Sequence, residues 1–129
     1  MNSANTAQKL QPKYFYPLAV WALLIFAASS IHGTSLPPLD VWSADKFIHS
    51  GVFGVLALFS YRAFAHYGDV YKKGAVWVMG MSLLFSLFYG ASDEMHQMFV
   101  PNRNASAFDF LADAIGIAAA HLYYFFRQN

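Results

Sequence analysis

The sequence predicts an all-α integral membrane protein, an up-and-down bundle of four transmembrane helices, and three observations lead there. Of 129 residues, 57% are hydrophobic and 19% aromatic, while only 12% are charged, about half the charged share of a soluble domain. A soluble domain of this size buries too little of its surface to hide so much apolar area. Four apolar stretches approach the roughly 20 residues that a membrane helix needs, and turn-forming residues separate them. The chain has no cysteine, which removes disulfides and thiolate metal sites. A net charge of +1 gives no electrostatic argument for nucleic-acid binding.

The elements follow in order. Residues 1–13 are polar, carry Lys9 and Lys13 and hold nothing to bury; they read as a disordered cytoplasmic tail ahead of one domain over 14–127. The first span runs from about Tyr14 to Ile31. Its polar start and the small residues Ala27-Ala28-Ser29 are shared with signal peptides, but three more apolar segments follow, so it reads as a retained span. His32-Gly33-Thr34-Ser35-Leu36-Pro37-Pro38 cannot continue a helix. The second span runs from about Ala44 to Phe64, with Ser43 available as its cap. Tyr67-Gly68-Asp69 and Lys72-Lys73-Gly74 form the next connection. The third span runs from about Ala75 to Tyr89 or beyond, and Pro101-Asn102-Arg103-Asn104 lies in the third connection. The fourth runs from about Ala107 to Phe126. In lipid, helices alone satisfy the backbone of separate apolar segments, and short connections make neighbours antiparallel. Tyr14, Tyr16, Trp42, Tyr123 and Tyr124 suit aromatic belts at the two interfaces. His32, His66 and His121 read as interfacial or packed histidines, and Met95, Met98 and Phe99 as packing against lipid or a neighbouring helix.

Basic residues orient the bundle. Lys9, Lys13, Arg62, Lys72, Lys73 and Arg127 fall on one side, Lys46 and Arg103 on the other. By the positive-inside rule both termini and the 67–74 loop are cytoplasmic, and the 32–44 and 91–106 loops face outward.

The remaining ionisable groups gather at that outer face. Asp45, Lys46 and His49 open the second helix; Asp93, Glu94, His96 and Gln97 follow the third; Arg103 lies in the loop; Asp109 and Asp113 open the fourth. Asp113 lies about 10 Å into the fourth helix at 1.5 Å per residue. Ionisable groups at such depth normally face the bundle interior, are paired, and mark function. Asp45 and His49, Asp93 and Gln97, and Asp109 and Asp113 are each four apart and share a helix face. Small residues line these faces: Ser50, Gly54 and Ala57; Ser82, Ser86 and Gly90; Ala112, Gly116 and Ala120. They let membrane helices approach closely and so aim the polar groups at one another. Bland readings stand beside this one. Ser106-Ala107-Phe108-Asp109 has capping-box form, and Asp45 suits a helix dipole. Neither covers His96 or Asp113.

Asp45-Lys46-Phe47-Ile48-His49, followed by Phe53 and Leu56, resembles the first signature of VanZ-like membrane proteins. Ser92-Asp93-Glu94-Met95-His96-Gln97-Met98-Phe99-Val100-Pro101-Asn102-Arg103 resembles the second, and the continuation to Asp109, Asp113 and Gly116 the third. The Ser29-Ser30 pair also suits that family, which usually has Asn where this chain has Ala112 or Ala114. The resemblance covers residues 15 to 126. It implies a multi-pass protein of the bacterial cytoplasmic (inner) membrane, tied to the cell envelope and to lowered sensitivity to the glycopeptide teicoplanin. It supplies no mechanism.

Three functions from different classes are consistent with the residues. In an envelope hydrolase or transferase acting on a lipid-linked or cell-wall substrate, His49 and His96 would serve as acid and base. Asp93 or Glu94 would orient one of them, and Lys46 and Arg103 would hold a phosphate or carboxylate. A metal-dependent variant would draw nitrogen and oxygen ligands for zinc or manganese from His49, Asp93, Glu94, His96 and Asp113. The five acids named in this cluster against its two bases, a formal excess of three negatives, favour a bound cation or protonated carboxyls. In a binding protein, the cluster with Asp45, Gln97 and Asp109 would recognise an envelope lipid or precursor. In a structural protein, the charges would fix helix register and dock a partner.

Overall fold

The computed structural model describes residues 9–35 and 42–128, and within them the chain is helical with no strand. The expected Pro37-Pro38 loop, most of the N-terminal tail, the Ser43 cap and the Trp42 ring lie outside the described residues and side chains.

Helix α1, Tyr16–Ser29, is shorter than its expected span. Pro17 sits in its first turn, where a missing N–H costs nothing. It ends where the Ser30 hydroxyl donates to the Phe26 carbonyl (2.7 Å) and competes for the helical backbone. At 14 residues it is about 21 Å long, short of the roughly 30 Å hydrocarbon core. Helix α2, Trp42–Tyr71, and helix α3, Ala75–Gln97, are the two long and apolar enough to cross a membrane. Helix α4, Ala107–Gln128, has 22 residues and carries Asp109, Asp113 and Arg127.

The expected loop at 67–69 is helical, and α2 runs on to Tyr71. Lys72 then adopts φ 56°, and the Lys73 N–H bonds back to the Gly68 carbonyl at 2.9 Å. That six-residue closure with a left-handed residue before it is a Schellman stop. Gly68 belongs to the helix because α3 approaches it: an added Cβ would lie 2.6 Å from Val78 Cγ2.

α2 is the hub, packing most extensively on α4 and then on α3, with α1 laid across α2 and α3. The α2–α4 seam is backbone on backbone: a Cβ at Gly116 would fall on the Ser50 carbonyl. Phe53, Leu56, Ala57, Ile117, Ala120 and Ile25 form the apolar core. Trp21 Nε1–H donates to the Val52 carbonyl (3.0 Å) and the Tyr89 hydroxyl to the Ala22 carbonyl (2.5 Å), which pins α1 in place. At the other end of α2, Tyr14 stacks on buried His66 at 4.1 Å, and the Gln11 N–H donates to His66 Nε2 at 2.9 Å.

The interior holds as many polar residues as hydrophobic ones, while Val76, Phe88 and Phe99 are 89%, 74% and 82% exposed. This reverses the order of a soluble domain. Apolar area on that scale is stable outside only where the surrounding solvent is itself apolar.

Candidate functional site

The start of α2, the end of α3 and the start of α4 meet at one end of the bundle. His49, in the second turn of α2, places Nδ1 3.0 Å from Asp113 Oδ1. Which of the two donates depends on the imidazole tautomer and on whether Asp113 is ionised. Asp113 is fully buried. One turn up, Lys46 pairs with both Asp45 (3.1 Å) and Asp109, and Asp45 Oδ1 lies 3.9 Å from His49 Nε2. The α2–α4 seam is thus crossed twice by charge-assisted contacts, which are stronger than neutral ones.

Capping works differently from the local reading. Ser106 Oγ accepts the Phe108 N–H (3.2 Å) and so caps α4. In a reciprocal box, Asp109 would accept the Ser106 N–H. Glu94 Oε2, from α3, takes that N–H at 3.0 Å, and Asp109 is left to Lys46.

Asp93, Gln97 and His96 face elsewhere. Asp93 accepts from Ser29 Oγ (2.5 Å) and from Gln97 Nε2 (3.0 Å). His96 stacks on Phe26 at 4.7 Å, with Nε2 2.9 Å from Ser30 Oγ. The Ser30 hydrogen is already given to Phe26, so the His96 Nε2–H donates. The expected convergence of His96 with His49 and Glu94 is therefore not seen. At about 100° per residue, Glu94 and His96 sit roughly 160° apart around α3; one meets α4 and the other meets α1.

Between these groups lies a cavity of about 320 Å³. Ile25, Ile31, Ile48 and Val52 form its apolar wall; Asp45, His49, Asp93, Gln97 and Arg103 form its polar end. Arg103 is presented by a turn in which its N–H bonds the Val100 carbonyl (3.2 Å). Pro101 takes the second position and Asn102, at φ 59°, the third, the residue types such a turn needs. The Gly33 N–H bonds the Pro101 carbonyl (3.2 Å). Among the described residues the Arg103 guanidinium has no ion pair. It also borders a more open cavity of about 460 Å³ with Glu94, Asn104 and Ser106.

The three segments that build this end, 45–49, 92–103 and 109–116, fall within the match of the VanZ/LLP1 family model, which covers residues 2–128. The chain belongs to the VanZ/LLP1 family. No curated protein and no solved structure matches it. Membership together with two membrane-length helices makes this a VanZ-like envelope protein of a membrane.

Among the described residues, two groups at the VanZ-family site have the donor atoms of a cation site: Asp45, His49 and Asp109, and His49, Glu94 and Asp113. Asp93 and His96, also expected as possible ligands, belong to neither.

A second polar network, deeper in the bundle, was not legible as a unit in the sequence. His121 Nδ1–H donates to the Ile117 carbonyl (2.8 Å), and Nε2 lies 3.0 Å from Ser82 Oγ. Ser60 donates to the Ser82 carbonyl (3.3 Å) and so does Ser86 (2.9 Å). Ser82 and Ser86 read as a small-residue stripe, and His121 as a packed histidine; the stripe is what admits the ring between α2, α3 and α4.

Proposed function

We propose that this VanZ-family protein crosses the bacterial inner membrane four times with both termini in the cytoplasm. Its cavity takes an amphiphilic envelope ligand, a lipid or lipid-linked cell-wall precursor, at the outer face, and in doing so lowers glycopeptide sensitivity. One observation carries the reading: a single cavity joins an aliphatic wall (Ile25, Ile31, Ile48, Val52) to a polar end holding Arg103 and His49. An acyl or prenyl chain suits the first and a phosphate or carboxylate the second, since a guanidinium matches both anions bidentately. The basic residues favour this orientation six to two, and the short α1 would cross tilted neighbours by local thinning of the bilayer. His49 lines this cavity and Glu94 the open one that shares Arg103 with it, so His49 is the group placed for acid–base work on such a ligand.

The test is a melting-temperature titration of purified protein with a polyprenyl phosphate, beside the same alcohol without phosphate. Saturable stabilisation by the phosphate, lost in Arg103→Ala and Arg103→Gln, is expected. Equal response to both compounds, or an unchanged response in the Arg103 variants, contradicts the reading.

A second reading has its own support. Lys46 and His49 each tie α2 to α4 through an acid, as a purely register-fixing network would. The two readings part on whether variants lose function at constant protein level.

A further inference from the structure

Two carboxylate oxygens inside the bundle, Glu94 Oε1 and Asp113 Oδ2, are buried without a hydrogen-bond partner among the described residues. Glu94 is 8% exposed and Asp113 0%. Native interiors seldom leave such atoms orphaned, because desolvating an anionic oxygen without compensation is costly. A ring nitrogen of His49 and one oxygen from each acid lie within 4.8 Å of one another. We infer that His49, Glu94 and Asp113 bind one divalent transition-metal ion, zinc or manganese, between α2, α3 and α4.

Charge, donor chemistry and geometry agree. Lys46 is committed to Asp45 and Asp109, so the second donor group already holds an ammonium where a cation would sit. Among the described residues the two deeper acids have as hydrogen-bond partners only His49 Nδ1 and the Ser106 N–H. One imidazole with two carboxylates suits zinc or manganese and leaves further coordination positions open. The 3.0 Å between His49 Nδ1 and Asp113 Oδ1 matches adjacent ligands at right angles in an octahedral manganese site with bonds of about 2.1 Å, and would widen to about 3.4 Å around tetrahedral zinc. Coordination uses the Nδ1 lone pair, so the neutral ring carries its proton on Nε2, which lies 3.9 Å from Asp45 Oδ1. Glu94 keeps the Ser106 N–H on Oε2, which orients Oε1 as an outer-shell partner does. Glu94 also borders the open cavity beside Arg103 and Ser106, which provides a path for entry.

The inference goes beyond the lipid pocket and is tested without any lipid ligand. Protein purified in detergent, stripped with a chelator, is titrated calorimetrically with Zn²⁺ and Mn²⁺, and metal content is measured by mass spectrometry. One ion per chain is expected, with a higher melting temperature on add-back. Affinity should fall more than about tenfold in His49→Ala, Glu94→Gln and Asp113→Asn and stay unchanged in His32→Ala, an exposed histidine. Absence of stoichiometric binding by the wild type overturns the site, as does binding that survives both Glu94→Gln and Asp113→Asn. Should a variant fail to fold, Mn²⁺-loaded wild type decides by electron–nuclear double resonance. Nitrogen coupling to the ion is expected, and its absence overturns the site.

Discussion

At the residue scale, the pairs at the polar end differ in how much rests on each. Asp109 is buried against Lys46, whose side chain is itself 16% exposed. Lys46→Ala would leave a carboxylate uncompensated in the interior and should cost about 3 kcal/mol in thermal unfolding. The double variant Lys46→Met/Asp109→Leu removes both charges and should recover most of that loss. His96, half-buried against Phe26 and Ser30, leaves no buried charge behind. His96→Ala should cost only about 1 kcal/mol, the worth of one hydrogen bond. If Lys46→Ala and His96→Ala destabilise equally, the ranking by uncompensated charge is wrong. The His49–Asp45 relation was legible in the sequence because four-residue spacing on a helix is a face. The Lys46–Asp109 pair was not. A capping-box pattern offers Asp109 a local partner, and nothing local shows that Glu94 from another helix takes the Ser106 N–H.

At the scale of the element, helix ends are where sequence and structure part. Gly68 reads as a breaker, and a mid-helix glycine does cost about 1 kcal/mol against alanine. Close approach to Val78 uses the missing side chain, so the helix continues and stops four residues later, at left-handed Lys72. Lys72→Gly removes the Cβ penalty of that conformation and should stabilise by about 1 kcal/mol, seen as a higher melting temperature with an unchanged circular-dichroism spectrum. The motif at 93–97 was legible as a cluster, but its division between two helix faces follows from rotation about α3 and sends His96 to α1. The small-residue stripes were the most informative local feature. Gly116 faces the Ser50 carbonyl directly, so Gly116→Ala must separate α2 from α4 and should cost about 3 kcal/mol. Gly80→Ala, inside α3 with open space at its Cβ, should stabilise by up to about 1 kcal/mol. Equal effects at the two positions would refute the close-contact account of the seam.

At the scale of the molecule, the membrane assignment was legible from composition, and the reversed interior explains it physically. Val76, Phe88 and Phe99 are exposed while Asp93, Glu94, Gln97 and Asp113 are buried. The number of crossings was less legible, because α1 is short and α4 carries two acids in its first two turns. A reporter fused after Asn129 should read cytoplasmic and a tag within 33–40 should be reached from outside; the reverse would place the cavity in the cytoplasm. The central claim is that the polar end with its cavity is a functional site rather than a brace. Its most direct measurement is glycopeptide sensitivity of cells carrying His49→Gln, Glu94→Gln or Arg103→Gln, read together with membrane level and melting temperature of each variant. The account predicts that all three raise sensitivity to that of cells lacking the protein while membrane level stays near wild type, and that Arg103→Gln does so with an unchanged melting temperature. Sensitivity that follows protein level alone, or three variants that protect as the wild type does, would contradict it.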